Sequence, residues 1–325
     1  MIFVISLLNM ILASTFIIGK AALEYVHPFF LIAVRMIIGG SVLLGYKYFF
    51  EHAHFVVRRK HIWLFVQAIL FHIYLSFMFE FWALEYVASA KTCLFFSLSP
   101  FVTAIMSYFL FTERLTTKQK IGLSIGFLGF LPELFAPQPV MEAQAGGFGF
   151  ISFPEMALLG AVIAGAYGWM ILKQLIVDNH YSAAMVNGVA MFFGGILSLI
   201  TSLLWSGWPT VKSVTEPTHY ATIYLVDLLG AQGAGIALFL FYTGLLIVVA
   251  NIVYYNMYGA LLKKYSATFL SFASFTAPFF TAFFGWIFLG ESISWHFVAT
   301  NICVFFGLYL FYMDELTTSS IYLEK

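Results

Sequence analysis

The chain has 325 residues, of which 62% are hydrophobic, 20% aromatic and only 9% charged, and its formal net charge is zero. About a quarter of the residues in soluble domains are charged, so this composition excludes a water-soluble fold and predicts a protein of the lipid bilayer. Because the charges cancel, no net field would recruit nucleic acid, which is excluded as a partner.

Ten apolar stretches follow one another along the chain, separated by polar and turn-forming residues. They cover residues 2–19, 28–50, 61–84, 89–112, 118–135, 151–176, 183–205, 233–258, 266–289 and 295–313. A membrane span needs about 20 apolar residues, so ten spans use about 200 positions and leave about 125 for loops. The first stretch has neither a basic segment before it nor a small-residue cleavage site, and we interpret it as a span rather than a signal peptide.

Lysine and arginine are distributed unevenly between the two ends of these stretches. With the N-terminus inside, eleven lie in inner loops or at the C-terminus, three lie outside, and one lies within a span, which together make the fifteen basic residues. The inner residues are Lys47, Arg58, Arg59, Lys60, Arg114, Lys118, Lys120, Lys173, Lys263, Lys264 and Lys325, the outer ones are Lys20, Lys91 and Lys212, and Arg35 is the intramembrane one. Cytoplasmic loops are rich in basic residues, so both termini are predicted to lie in the cytoplasm, with the chain in a bacterial inner membrane.

An internal repeat divides the chain into two halves of five helices. The segment 100–104 followed by Glu113 recurs 178 residues later as 278–282 followed by Glu291, and segments near residues 13–27 recur at 166–180. An odd number of helices in each half inverts the second half, which is the build of many secondary transporters. The predicted domains are residues 1–135 and 151–313, with an outer linker at 136–150, a long outer loop at 206–232 and a cytoplasmic tail at 314–325.

Short motifs in both halves carry a resemblance to a known family. They are Pro28 with Arg35, the segments 83–87 and 97–100, Thr112-Glu113-Arg114-Leu115 with Gly122 and Gly129, and 288–293 with Gly307. At these residues the chain resembles the EamA-like branch of the drug/metabolite transporter superfamily, although Thr112 stands where the family usually has glycine. The resemblance implies an all-α membrane protein with ten transmembrane helices in two inverted five-helix EamA repeats. It also implies a proton- or exchange-coupled carrier whose central cavity opens alternately to each side.

Charged side chains inside spans are costly, so each of the few that occur suggests a function or a partner. Glu80 is the strongest candidate, because His72 and Ser76 lie on the same helix face at four-residue intervals and a buried carboxylate holds a proton or attracts a cation. The alternative is an ion pair with Arg35 or Lys91 that only holds helices together. Arg35 is predicted either to snorkel to the outer surface or to bind a substrate carboxylate. His72, taken alone, is favoured as a packing histidine.

Aromatic and neutral polar side chains complete the predicted binding site. In the resembled family the first, third, fourth, sixth, eighth and ninth helices line the cavity, and Tyr and Trp walls suit flat or cationic substrates. The candidates on these helices are Tyr74, Trp82, Tyr167, Trp169, Tyr254, Tyr255, Ser97, Asn251, Asn256, Ser271 and Ser274. Glu113 and Glu291, by contrast, are predicted to cap or end helices.

Enzyme and channel functions are the alternatives from other classes. The histidines at 52, 54 and 61 are too few for a di-iron site, the three aspartates lie outside the spans, and no Gly-x-Ser-x-Gly or Walker A sequence occurs. No enzyme activity, catalytic residue, metal or cofactor is therefore predicted. A potassium-channel filter sequence is also missing, and a two-half repeat suits a carrier better than a pore.

The substrate is predicted from the same few charges. Amino acids and their derivatives are the commonest cargo of the resembled family, and Glu80, Arg35 and aromatic walls fit a zwitterion with an extra cation or ring. S-adenosylmethionine, exchanged for S-adenosylhomocysteine, meets these requirements, and proton-driven export of amino acids or drugs is the alternative. The expected partners are a small-molecule substrate and the bilayer; transport direction, coupling ion and a homodimer stay open.

Overall fold

The computed structural model describes residues 2–50, 57–111, 116–214, 220–261 and 274–323, and within them the chain is almost entirely helical. The helices are α1 (Ile2–Leu23), α2 (Pro28–Phe50), α3 (Arg59–Tyr86), α4 (Ser89–Phe96), α5 (Ser99–Phe111), α6 (Thr117–Leu134), α7 (Val140–Gln144), α8 (Phe153–Asp178), α9 (Ala183–Ser206), α10 (Tyr220–Leu246, continued by Ile247–Tyr254 and Tyr255–Leu261), α11 (Ser274–Leu289) and α12 (Trp295–Leu323). Strands β1 (Gly147–Phe148) and β2 (Ile151–Ser152) form a short antiparallel hairpin between α7 and α8.

Eight helical segments of the described chain are long and apolar enough to cross a membrane. They coincide with eight of the ten predicted stretches, which confirms an all-helical membrane protein. The fifth stretch forms α6, and the ninth is represented by α11, a shorter apolar helix that begins at Ser274. Residues 266–273 of the ninth stretch, including Ser271, lie outside the described residues, and the count of ten spans stays a prediction.

Two prolines that the repeat makes equivalent, Pro100 and Pro278, lie in the first α-helical turns of α5 and α11. The sequence favours a position in the middle of a span for both, but Pro100 follows a turn at Ser97–Leu98, and Pro278 follows a 3₁₀ turn at Ser274–Thr276. Proline fits the first turn of a helix because the missing N–H would have no intrahelical partner there. The fourth predicted span is therefore two helices, α4 and α5, joined by a turn.

Glycines bring two pairs of helices into close contact. A Cβ added at Gly40 of α2 would lie 2.5 Å from the backbone nitrogen of Phe192 in α9, and one at Gly122 of α6 would lie 2.5 Å from the carbonyl oxygen of Gly307 in α12. Only glycine permits such an approach, as at many helix crossings in membranes. Each pair joins helices that hold the same place in the two predicted halves.

The third and eighth predicted spans share an irregularity. α3 is π-helical over Ala68–Leu75 and α10 over Ile247–Tyr254, two segments of eight residues each. π-helical turns are rare and occur frequently at functional sites, because they displace side chains from the ordinary helical positions. The first segment carries His72, and the second carries Asn251 and Tyr254.

Candidate functional site

A cavity of about 1000 Å³ lies in the middle of the helix bundle. Ten of the predicted site residues line it, namely Arg35, His72, Ser76, Glu80, Ser97, Tyr167, Trp169, Tyr254, Tyr255 and Ser274. The cavity extends from Glu80 to the end of the bundle where α8 finishes, since Lys173 and Asp178 also line it. The sequence therefore predicts several lining residues of a cavity that the fold assembles from helices of both halves.

Four predicted site residues of the described chain are not among the lining residues, namely Tyr74, Trp82, Asn251 and Asn256. Nδ2 of Asn256 donates to the carbonyl oxygen of Ile252 in its own helix at 2.7 Å. The hydroxyl of Tyr74 shares a 2.7 Å hydrogen bond with Oγ1 of Thr201, and the ring of Trp82 packs against Tyr86 with centroids 5.5 Å apart. Asn251 is fully buried, and its Nδ2 donates to the carbonyl oxygen of Arg35 at 3.2 Å. Asn251 thus fixes the backbone of α2 where Arg35 enters the cavity.

Arg35 is buried to 1% exposure in the described structure, so its side chain does not snorkel to the surface. The guanidinium carbon lies 4.8 Å from the ring centroids of both Phe77 and Phe81, a geometry in which the faces of aromatic rings attract a cation. Its Nε has no hydrogen-bond partner among the described residues. The two phenylalanines therefore hold a positive charge at the cavity wall without neutralising it.

Glu80 is 9% exposed, lines the cavity, and makes no hydrogen bond or ion pair within the part of the chain that the structure describes. Among the described residues no ion pair joins it to Arg35, although the two charges interact electrostatically. Lys91, the other partner that the sequence allows, is bonded elsewhere. The cavity thus carries a carboxylate and a guanidinium that face the same space and do not pair.

Aromatic rings from α3, α8 and α10 form a second feature of the cavity, here named the aromatic cluster and made of His72, Trp169, Tyr255 and Tyr258. The ring of Trp169 is nearly parallel to Tyr255, at 13° and 5.9 Å between centroids, and lies 4.5 Å from Tyr258. The ring of His72 makes T-shaped contacts with Trp169, at 4.6 Å between centroids, and with Tyr255, at 5.6 Å. Sequence reasoning does not identify Tyr258, although it lies four residues after Tyr254 and so on the same helix face.

Two other predicted residues join helices beside the cavity. Oγ of Ser76 in α3 donates to the carbonyl oxygen of Ala161 in α8 at 3.2 Å. The hydroxyl of Tyr167 in α8 donates to Oε1 of Gln67 in α3. Ser97 lies in the turn between α4 and α5, and Ser274 begins α11. These bonds fix α3 against α8, which carry His72, Glu80 and Trp169.

A group of paired charges, here named the outer cluster, is made of Lys91, Glu142, Ser152 and Glu155. Nζ of Lys91 lies 3.0 Å from Oε1 of Glu142 and 2.8 Å from Oε1 of Glu155. Oγ of Ser152 donates to Oε1 of Glu142 at 2.8 Å, and Ser152 and Glu155 form the reciprocal capping box of α8. Sequence reasoning misses Glu142, but the Ser-x-x-Glu pattern at 152–155 is a capping signal.

Glu291 joins the two predicted halves at the same end of the bundle. Its Oε1 accepts from the backbone N–H of Ser89 at 2.9 Å and from the Ser89 hydroxyl at 3.0 Å, and it lies 4.0 Å from Nζ of Lys20. Glu291 therefore caps the N-terminus of α4, a helix of the other predicted half. Glu113, its predicted equivalent, and His52 and His54 lie outside the described residues. Within the described ranges no group of three or more His, Cys, Asp or Glu is placed to hold a metal ion.

Comparisons with known proteins agree with this architecture. The profile of the EamA-like transporter family matches residues 1–131 and 153–313. A Chlamydia muridarum protein named S-adenosylmethionine/S-adenosylhomocysteine transporter is 31% identical over 292 residues, covering 90% of this chain and 85% of that relative. A protein of the same name from Chlamydia trachomatis serovar L2 is 32% identical, covering 90% and 82%. A crystal structure with a TM-score of 0.51 and 20% identity, covering 94% of each chain, shares the fold.

Proposed function

The chain belongs to the EamA-like transporter family, and on that premise we propose that it carries S-adenosylmethionine across a bacterial inner membrane in exchange for S-adenosylhomocysteine. Two relatives named for these substrates are 31% and 32% identical over 90% of the chain. Identity spread over nearly the whole length means that the helices around the cavity are included in the similarity. The substrate of these relatives is therefore the first to consider for this cavity.

The observation that carries the proposal is the unpaired Glu80 and Arg35 in a cavity with an aromatic wall. S-adenosylmethionine has an ammonium group, a carboxylate, a positive sulfonium and a flat adenine ring. The Glu80 carboxylate binds the cationic groups, and the Arg35 guanidinium binds the substrate carboxylate, for which its fork of donors is suited. A volume of about 1000 Å³ is at the upper end of ordinary small-molecule pockets, so one such ligand fits.

The mechanism in this proposal is alternating access by two inverted five-helix halves. The close pairs α2–α9 and α6–α12 support it, because each joins helices that are equivalent in the two halves. We infer that the contacts of Glu291 with Ser89 and Lys20 close the cavity at the start of α4, and that the opposite end, where Lys173 and Asp178 line it, is open. With both termini in the cytoplasm, as the basic residues predict, the open end faces the cytoplasm.

Exchange in purified vesicles tests the proposal. The protein is reconstituted in liposomes loaded with S-adenosylhomocysteine, and uptake of labelled S-adenosylmethionine is followed against vesicles loaded with buffer alone. We expect uptake that saturates with substrate and is much faster in the loaded vesicles. Uptake that rises without saturation would instead support a channel, and uptake driven only by a proton gradient would support the amino-acid or drug exporter.

A further inference from the structure

We propose that the aromatic cluster of His72, Trp169, Tyr255 and Tyr258 is an adenine subsite, separate from the Arg35 and Glu80 region that takes the amino-acid part of the substrate. The inference rests on the proposed function and adds to it a division of the cavity into two recognition regions. Adenine is present in both S-adenosylmethionine and S-adenosylhomocysteine, whereas the methyl group and the sulfonium charge belong to S-adenosylmethionine alone. The aromatic cluster would therefore hold both partners of the exchange.

The geometry of Trp169 carries the first step. Tyr255 and Tyr258 pack against the indole at 5.9 and 4.5 Å, and both tyrosines are buried, so the indole is fixed on one side. Trp169 itself is only half-buried and lines the cavity. A fixed indole with a remaining accessible surface is a platform for a flat ring, since nucleobases of any type stack favourably on aromatic side chains.

The nitrogens of His72 carry the second step. His72 is 2% exposed, and neither Nδ1 nor Nε2 has a hydrogen-bond partner in the described part of the chain. Buried polar groups are nearly always hydrogen-bonded, so two unpartnered nitrogens beside a cavity require an explanation. A neutral imidazole offers one donor and one acceptor, and the edge of adenine offers both in return. The T-shaped contact between His72 and Trp169 places the imidazole next to the stacking platform.

Two probe compounds separate the regions experimentally. 5′-Methylthioadenosine has the adenine nucleoside without the amino acid, and S-methylmethionine has the amino acid and sulfonium without adenine. Each competes against labelled S-adenosylhomocysteine for the purified protein in detergent. Both should displace the labelled ligand from the unaltered protein, because each fills one of the two regions.

Trp169→Leu removes the platform and is the decisive variant. We expect 5′-methylthioadenosine to compete about 5- to 150-fold more weakly, which corresponds to the loss of one base–aromatic stack, while S-methylmethionine is unchanged. His72→Phe keeps a ring in place but removes both nitrogens, and should weaken the nucleoside about 2- to 12-fold. Glu80→Gln should weaken competition by S-methylmethionine and leave competition by 5′-methylthioadenosine unchanged. Trp63→Leu is the control, since Trp63 lies in α3 but is 69% exposed and should alter neither competitor.

Two outcomes overturn the subsite. Either 5′-methylthioadenosine fails to displace the labelled ligand from the unaltered protein, or Trp169→Leu changes competition by both probes to the same extent. If Trp169→Leu does not fold, the loss of nucleoside competition in His72→Phe decides the question, and equal weakening of both probes there rejects the subsite. The proposed function fails separately, when vesicles containing the unaltered protein do not exchange the two adenosyl compounds.

Discussion

The outer cluster and the cavity both bury charged side chains, but the protein satisfies those charges in the outer cluster and leaves them unpaired in the cavity. Lys91 contacts two carboxylates within 3.0 Å, and Ser152 bonds to one of them as well. Glu80 makes no ion pair in the described structure, and Arg35 rests on two phenyl rings. One helix, α4, contributes to both regions, since it carries Lys91 of the outer cluster and Cys93 of the cavity lining.

This difference suggests two roles for buried charges: those of the outer cluster stabilise the fold, and those of the cavity, in our proposal, bind the substrate. An unpaired buried charge is costly and persists only where something else compensates it. In the outer cluster the compensation is built into the chain, so these residues anchor the linker to α4 and α8. In the cavity, according to the proposed function, a charged substrate supplies the compensation. Substitutions in the two regions should therefore affect different measurements.

The largest expected effect is on stability, from Lys91→Met. It leaves Glu142 and Glu155 buried without a cation, and breaking a buried ion pair in this way costs about 3–5 kcal/mol. We expect a clear fall in the melting temperature in detergent. Lys91→Arg keeps the charge and is the matched control. A melting temperature equal to that of the unaltered protein would contradict the structural role of the outer cluster.

Glu80→Gln should leave stability unchanged and reduce substrate binding and transport. The side chains have nearly the same shape, and Glu80 has no described partner to lose, so the melting temperature without ligand should be unchanged. Loss of a charge-assisted bond to the substrate costs about 1.5–3 kcal/mol, which weakens S-adenosylmethionine binding about 10- to 150-fold. Titration calorimetry measures the loss of affinity, and vesicle uptake measures the loss of transport. An unchanged transport rate would reject the assignment of Glu80.

The smallest effect is expected at Glu291, which belongs to neither region and which the proposed mechanism assigns to the closed end of the cavity. Glu291→Gln keeps an acceptor for Ser89 and loses the charge, a change of about 1 kcal/mol that should populate the state open at that end. Cys93 lines the cavity and reports on this opening. In a Cys303→Ser background, an impermeant thiol reagent added to that side should alkylate Cys93 a few-fold faster. An identical rate would show that Glu291 does not hold the cavity closed.

Local patterns predict the helices and some of the residues that line the cavity, because apolar runs and four-residue spacing report on single helices. They place Glu80 with His72 and Ser76 on one face, as the cavity lining shows. They do not reveal that Lys91 bonds to Glu142, because that contact joins residues 51 positions apart through a linker. Nor do they reveal the π-helical segments of α3 and α10, since tertiary packing decides such irregularities.

A structure determined with S-adenosylhomocysteine bound tests most directly the claim that the unpaired charges of the cavity form the substrate site. The account predicts ligand density in the cavity, with the ammonium group beside Glu80, the carboxylate beside Arg35 and the adenine ring against Trp169. Ligand density at another surface, with Glu80 and Arg35 facing an empty cavity at saturating concentration, would contradict it.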